Sequence, residues 1–201
     1  GTPSKCRTHS NCSSPASCGW KRQPARTPAP KLSSLPATTS AQVKSWHEVQ
    51  VGDIETMKDK WVGLAGAFDE SDYDWRPMEG VRSVREVLGL AIAEANLFPG
   101  AWGSAPGPGA AAGFGAELTR AAALSQSDMM AALEASFDYM AGVVRDMDSE
   151  RRMADARYFD GNQMETHAHI AMALGDMHEH LGQLIAYART NHVVPPWSAG
   201  N

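Results

Sequence analysis

Residues 176–198 read DMHEHLGQLIAYARTNHVVPPWS. The stretch has the periodicity of a helix that ends before Pro195 and Pro196, which cannot continue one. Successive residues on a helix advance by about 100°, so Asp176 and His180, four apart, meet on one face. His178 lies roughly 200° round from Asp176 and belongs to another face. The apolar positions Ala173, Leu184 and Tyr187 share the stripe of Asp176 and His180. A carboxylate and an imidazole carried toward a core need partners. A metal ion is one solution, and a mutual hydrogen bond is the other. His169 shares this face but starts about 10 Å away along the axis, at 1.5 Å per residue. It can line the same cavity without binding the same ion.

Three further helices are expected upstream. Ile54, Met57, Trp61, Leu64, Ala65 and Phe68 fall at three- and four-residue steps and predict a helix over 43–68. Ser83 followed by Glu86 is a capping box, which opens a second helix at Val84. Leu88, Ala91, Ile92 and Ala95 face inward, and Pro99-Gly100 is expected to end the helix near Phe98. Residues 99–116, PGAWGSAPGPGAAAGFGA, read as a long Gly/Ala/Pro loop. A third helix follows from Ser125 or Ser127 to about Asp148, with Met130, Leu133, Phe137, Met140 and Val144 as its stripe. The fourth, over 163–191, carries the opening stretch. No strand pattern exceeds a few residues. The expected fold is all-α, a four-helix bundle, up-down or with a long crossover.

On the second helix Glu94 is the best-placed carboxylate, one turn after Leu90. The ordinary role of such a residue is a solvated helix surface, and the alternative is a third donor for the Asp176/His180 pair. Gly182 costs its helix about 1 kcal/mol, which suggests a close helix approach there. Trp75 and Trp197 are expected to pack over the helix ends.

Composition bounds the rest. Residues 1–45 hold seven Lys or Arg and no acid; the remainder holds 11 basic and 23 acidic residues, a net −12. An acidic body argues against a nucleic-acid groove. No window approaches a membrane span. The Ser-, Pro- and Arg-rich segment 1–42 cannot bury enough surface to fold alone, which leaves 43–201 as the folded domain. An acid-free basic tail has the composition of a targeting segment. Cys6, Cys12 and Cys18 lie within it, an odd set with no nearby histidine pair.

Three blocks resemble the DinB-like family: YDWRPMEGVRSVREVLGLAIAEAN (73–96), RYFDG (157–161) and HEHLGQLIAYARTNHVVPPWS (178–198). The resemblance runs from about Ser45 to the C-terminus. It implies a bundle with a long crossover, a homodimer, and export in its nearest branch. It also implies a divalent metal on three histidines, one from the second helix and two spaced by four on the last. In some members that metal activates a low-molecular-weight thiol. Here His180 matches the second of the pair. Asp176 stands where the first would be, and Leu90 or Ala91 where the helix-two histidine would be. A carboxylate in place of an imidazole shifts preference toward harder ions, so Zn, Ni, Fe and Mn all enter. The expected site is Glu94, Asp176 and His180. Two functions follow: a metal-dependent transferase or hydrolase, or a bundle that binds a small ligand or a second copy without chemistry.

Overall fold

The computed structural model describes residues 43–158 and 160–199, so the basic tail and its cysteines lie outside the described residues. Four long helices form the bundle: α1 (Trp46–Ala67), α2 (Val84–Ala101), α4 (Gln126–Arg145) and α6 (Thr166–Thr190). Between them lie α3 (Phe114–Ala122), the single turn α5 (Ser149–Met153), and a hairpin of β1 (Asp155–Arg157) with β2 (Gln163–Glu165). Helix α1 packs on α4 and α6, and α2 packs on the same two. Consecutive α1 and α2 therefore stand on one diagonal of the bundle, and α4 and α6 on the other. The links between them cross it.

The caps explain where the helices start. Ser45 with Glu48, and Ser83 with Glu86, form capping boxes that satisfy first-turn N–H groups on α1 and α2. The buried stripe Ile54, Met57, Trp61 and Leu64 of α1 meets Leu133, Phe137, Met140 and Val144 of α4 and Ala173, Met177 and Leu184 of α6. Among the described residues no helix is long and apolar enough to cross a membrane.

Four expectations need correction. Helix α2 runs through Pro99 to Ala101. The proline falls in the last turn, where its missing N–H forfeits little. The expected loop 99–116 gives way at Phe114 to α3, which the Gly-rich context concealed. A tertiary network holds α3 in place. Glu117, fully buried, accepts from Asn96 Nδ2 at 2.8 Å and from the Ala111 amide at 2.7 Å, and pairs with Arg120 at 2.5 Å. Residues 163–165 are strand, so α6 begins at Thr166. Strands of three residues are too short for an alternating pattern to show.

Gly182 is exposed and nothing approaches it, so it marks no close contact. The close approach is at Gly107 instead. A Cβ there would sit 2.0 Å from Asn96 Oδ1, while the Gly107 amide donates to the Asn96 carbonyl at 2.8 Å. Only glycine lets the loop close over α2. At the ends of the helices, Trp75 meets Tyr187 edge to face with centroids 5.3 Å apart, and Pro196 packs over Gly63.

Candidate metal centre

Helices α2 and α6 face each other across a cavity of about 570 Å³. Glu94 of α2 and Asp176 and His180 of α6 line it together. His180 Nε2 lies 3.2 Å from Glu94 Oε1 and 3.7 Å from Asp176 Oδ1. One donor atom from each residue falls within 4.8 Å of the others. Glu94 is 3% exposed, so it is no surface glutamate. Its helix turns it inward because Leu90, one turn earlier, lines the same cavity, while Ala91 is sealed in the core.

Burial pushes the Glu94 carboxyl above its ordinary range, and the hydrogen bond from His180 only partly restrains it. The same bond to Glu94 pushes the His180 imidazole up, against its own desolvation. Both shifts favour a proton shared between Nε2 and Oε1. Any cation bound there must displace it.

Two observations test whether these residues fit a metal. Donors roughly 2.1 Å from a tetrahedral ion lie roughly 3.4 Å apart, and the separations of 3.2 and 3.7 Å bracket that value. Glu94 Oε2 is buried with no hydrogen-bond partner among the described residues. An unpaired buried carboxylate oxygen is costly, and a cation is a partner that would satisfy it. The residues present fit the group.

His178 points elsewhere, as helical geometry predicts. Its Nε2 lies 3.0 Å from Asp53 on α1. His169 lines the cavity and takes no part in the trio. Its Nδ1 accepts from Trp102 Nε1 at 3.0 Å, and its ring meets Tyr158 edge-on at a centroid distance of 5.0 Å. Burial holds its pKa below the ordinary 6.5, partly offset by a hydrogen bond to the Arg157 backbone. Protonation would also expel the Trp102 N–H. The unfolded chain therefore binds this proton more readily, and His169 contributes stability that is lost as pH falls below about 6.5. The denaturant midpoint of the wild type should fall more steeply from pH 7 to 5 than that of His169→Gln. Parallel slopes would show that His169 is not held neutral.

The sequence did not single out Arg82, Arg157 or Phe114, which also line the cavity. Arg82 precedes the cap of α2, Arg157 ends β1 and Phe114 opens α3. Nothing in local spacing distinguishes them from ordinary surface residues.

No family model and no curated protein matches the chain in sequence. Solved structures match in fold. YfiT from Bacillus subtilis, a probable metal-dependent hydrolase with an unusual four-helix bundle topology, aligns with a TM-score of 0.59 at 15% identity, over 78% of this chain and 95% of that one. The mycothiol-dependent maleylpyruvate isomerase aligns with a TM-score of 0.54 at 14% identity, over 69% of this chain. The chain covers 60% of the isomerase's length. At such identities the likeness is one of fold. On the bundle, its diagonal connections and these neighbours, the chain has the DinB-like four-helix-bundle fold.

Proposed function

We propose that the cavity is a metal-dependent active site for a small organic molecule, with Glu94, Asp176 and His180 holding a divalent cation. The observation that carries this reading is the unpaired, buried Glu94 Oε2 in a donor set gathered within 4.8 Å. One imidazole and two carboxylates suit Mn, Fe, Zn or Ni. A bound ion would supply Lewis acidity and an activated water or thiol. The chain's own residues supply the rest. The Glu94–His180 pair holds a proton at the reacting end. Leu90 and Phe98 exclude water from it, and His169, fixed by Trp102, stays neutral. Metal-dependent hydrolysis and thiol-dependent isomerisation are the reactions named for the fold neighbours, and thiol-dependent transfer is a further candidate for this site.

A second reading has its own support. Leu90 replaces a donor position by apolar lining, and the 3.2 Å bond lets Glu94 and His180 satisfy each other without an ion. A metal-free ligand-binding bundle would have these features. Thermal melting separates the two. An ion at 100 times its Kd stabilises by about 2.7 kcal/mol, which is about 5–10 °C for a domain of this size. At least one of Zn, Ni, Mn or Fe(II) should raise Tm by that much in chelator-treated wild type, and by almost nothing in His180→Ala. No shift with any ion would favour the metal-free bundle.

A further inference from the structure

The cavity has two unlike halves, and three contacts order them. Tyr187 Oη donates to the Arg82 carbonyl at 3.0 Å, His180 Nε2 lies 3.2 Å from Glu94 Oε1, and Trp102 Nε1 donates to His169 Nδ1 at 3.0 Å. Rising numbers on α2 meet falling numbers on α6, so the two helices run antiparallel. Arg82, Glu94, Asp176 and His180 therefore share the half toward the start of α2. The Arg82 charge acts on Glu94 and His180 within that half.

The other half follows α2 from Glu94 to Ala101, seven residues on. At 1.5 Å per residue it is about 10 Å long. The seven residues from Asp176 back to His169 match it on α6. Its wall is Leu97, Phe98 and Ala101 of α2, Phe114 of α3, and His169. Burial and the Trp102 N–H keep that histidine neutral. Arg157 reaches this half from the hairpin, but it is exposed. An exposed arginine keeps its charged head in water and offers only its stem to an apolar wall.

As a piece of core this wall is unfinished. Helix α2 is buried without a break from Val87 to Asn96, yet the apolar Leu97, Phe98 and Ala101 stay only half-buried. Phe114, at the head of α3, is 45% exposed. Apolar side chains left uncovered around a concavity of about 570 Å³, with polar groups converging at one end, have the form of a small-molecule site. Ala101 carries the smallest side chain of the wall and stands at its far end, so a larger residue there would shorten the space.

We propose that the substrate is an amphiphile, with a polar reacting group at Glu94, Asp176 and His180 and an uncharged apolar arm laid along Leu97, Phe98 and Phe114, and that Ala101 sets how long the arm can be. The proposal rests on the reading of the trio as the reacting end, and it names the substrate class and a specificity-determining residue of the same site.

Calorimetric titration with straight-chain primary alcohols, from butanol to octanol, tests it. Chelator-treated full-length protein is used, so that the arm is read without an ion. Affinity should rise about fourfold per methylene, the equivalent of about 0.8 kcal/mol. Ala101→Leu should weaken octanol at least about tenfold and leave butanol unchanged. Phe114→Ala, at an exposed position, should weaken octanol by about tenfold with Tm unchanged. No binding of octanol, an affinity that does not rise with chain length, or an octanol affinity untouched in either variant would overturn the proposal. The metal reading fails separately: no ion would raise Tm, while the dependence on chain length would persist.

Discussion

Replacing Leu90 with histidine should tighten zinc binding by about 100-fold. Leu90 is 2% exposed, lines the cavity and stands one helical turn before Glu94 on α2. A histidine there would present a second neutral imidazole to the space already bounded by Glu94, Asp176 and His180. Structural zinc sites gain about 10–16 kcal/mol from four ligands, so one added ligand contributes about 3 kcal/mol. Leucine and histidine are similar in size, and the cavity offers room for the ring. Competition against a chromophoric chelator measures the gain. Ala91→His is the control, because Ala91 is fully buried in the core and does not line the cavity. It should destabilise the bundle without tightening zinc. An unchanged affinity in Leu90→His would mean that the trio is not a metal centre that lacks one ligand.

The second large effect is expected at Glu94, with opposite signs for binding and stability. Glu94→Leu removes a central donor and should weaken metal binding by at least about 100-fold, by the same per-ligand reckoning. It should also stabilise the chelator-treated protein by about 1 kcal/mol or more. Burial opposes ionisation of Glu94, and Oε2 has no partner, so the folded metal-free chain bears a cost that leucine relieves. His180 is not stranded, because Asp176 remains 3.7 Å away and the imidazole is partly exposed. A residue kept for structure would show the reverse, with lost stability. Chemical denaturation in chelator, beside the zinc competition, reads both quantities. A destabilised Glu94→Leu would assign the Glu94–His180 pair a structural role.

How much of this was legible in the sequence depends on the range of the interactions. The caps Ser45 and Ser83 act over three residues, and the stripes of α1, α4 and α6 repeat every three to four, so the long helices could be read directly. The Asp176/His180 pair, and the exclusion of His178, followed from the same rotation per residue. Glu94 was visible only as a candidate, because its burial depends on how α2 meets α6. Helix α3 could not be read at all. It persists through contacts of Glu117 with Asn96, 21 residues away, and no local propensity signals that. Arg82 and Arg157 were invisible for a related reason. What brings them to the site is the cavity that the folded helices and hairpin enclose, and a sequence does not show that.

The account turns on whether Glu94, Asp176 and His180 hold an ion. Elemental analysis of protein purified without chelator and then equilibrated with zinc tests this most directly. The expected result is about one divalent ion per chain in the wild type and almost none in His180→Ala and Glu94→Leu. A wild type without metal, or an ion retained undiminished in His180→Ala, would contradict it.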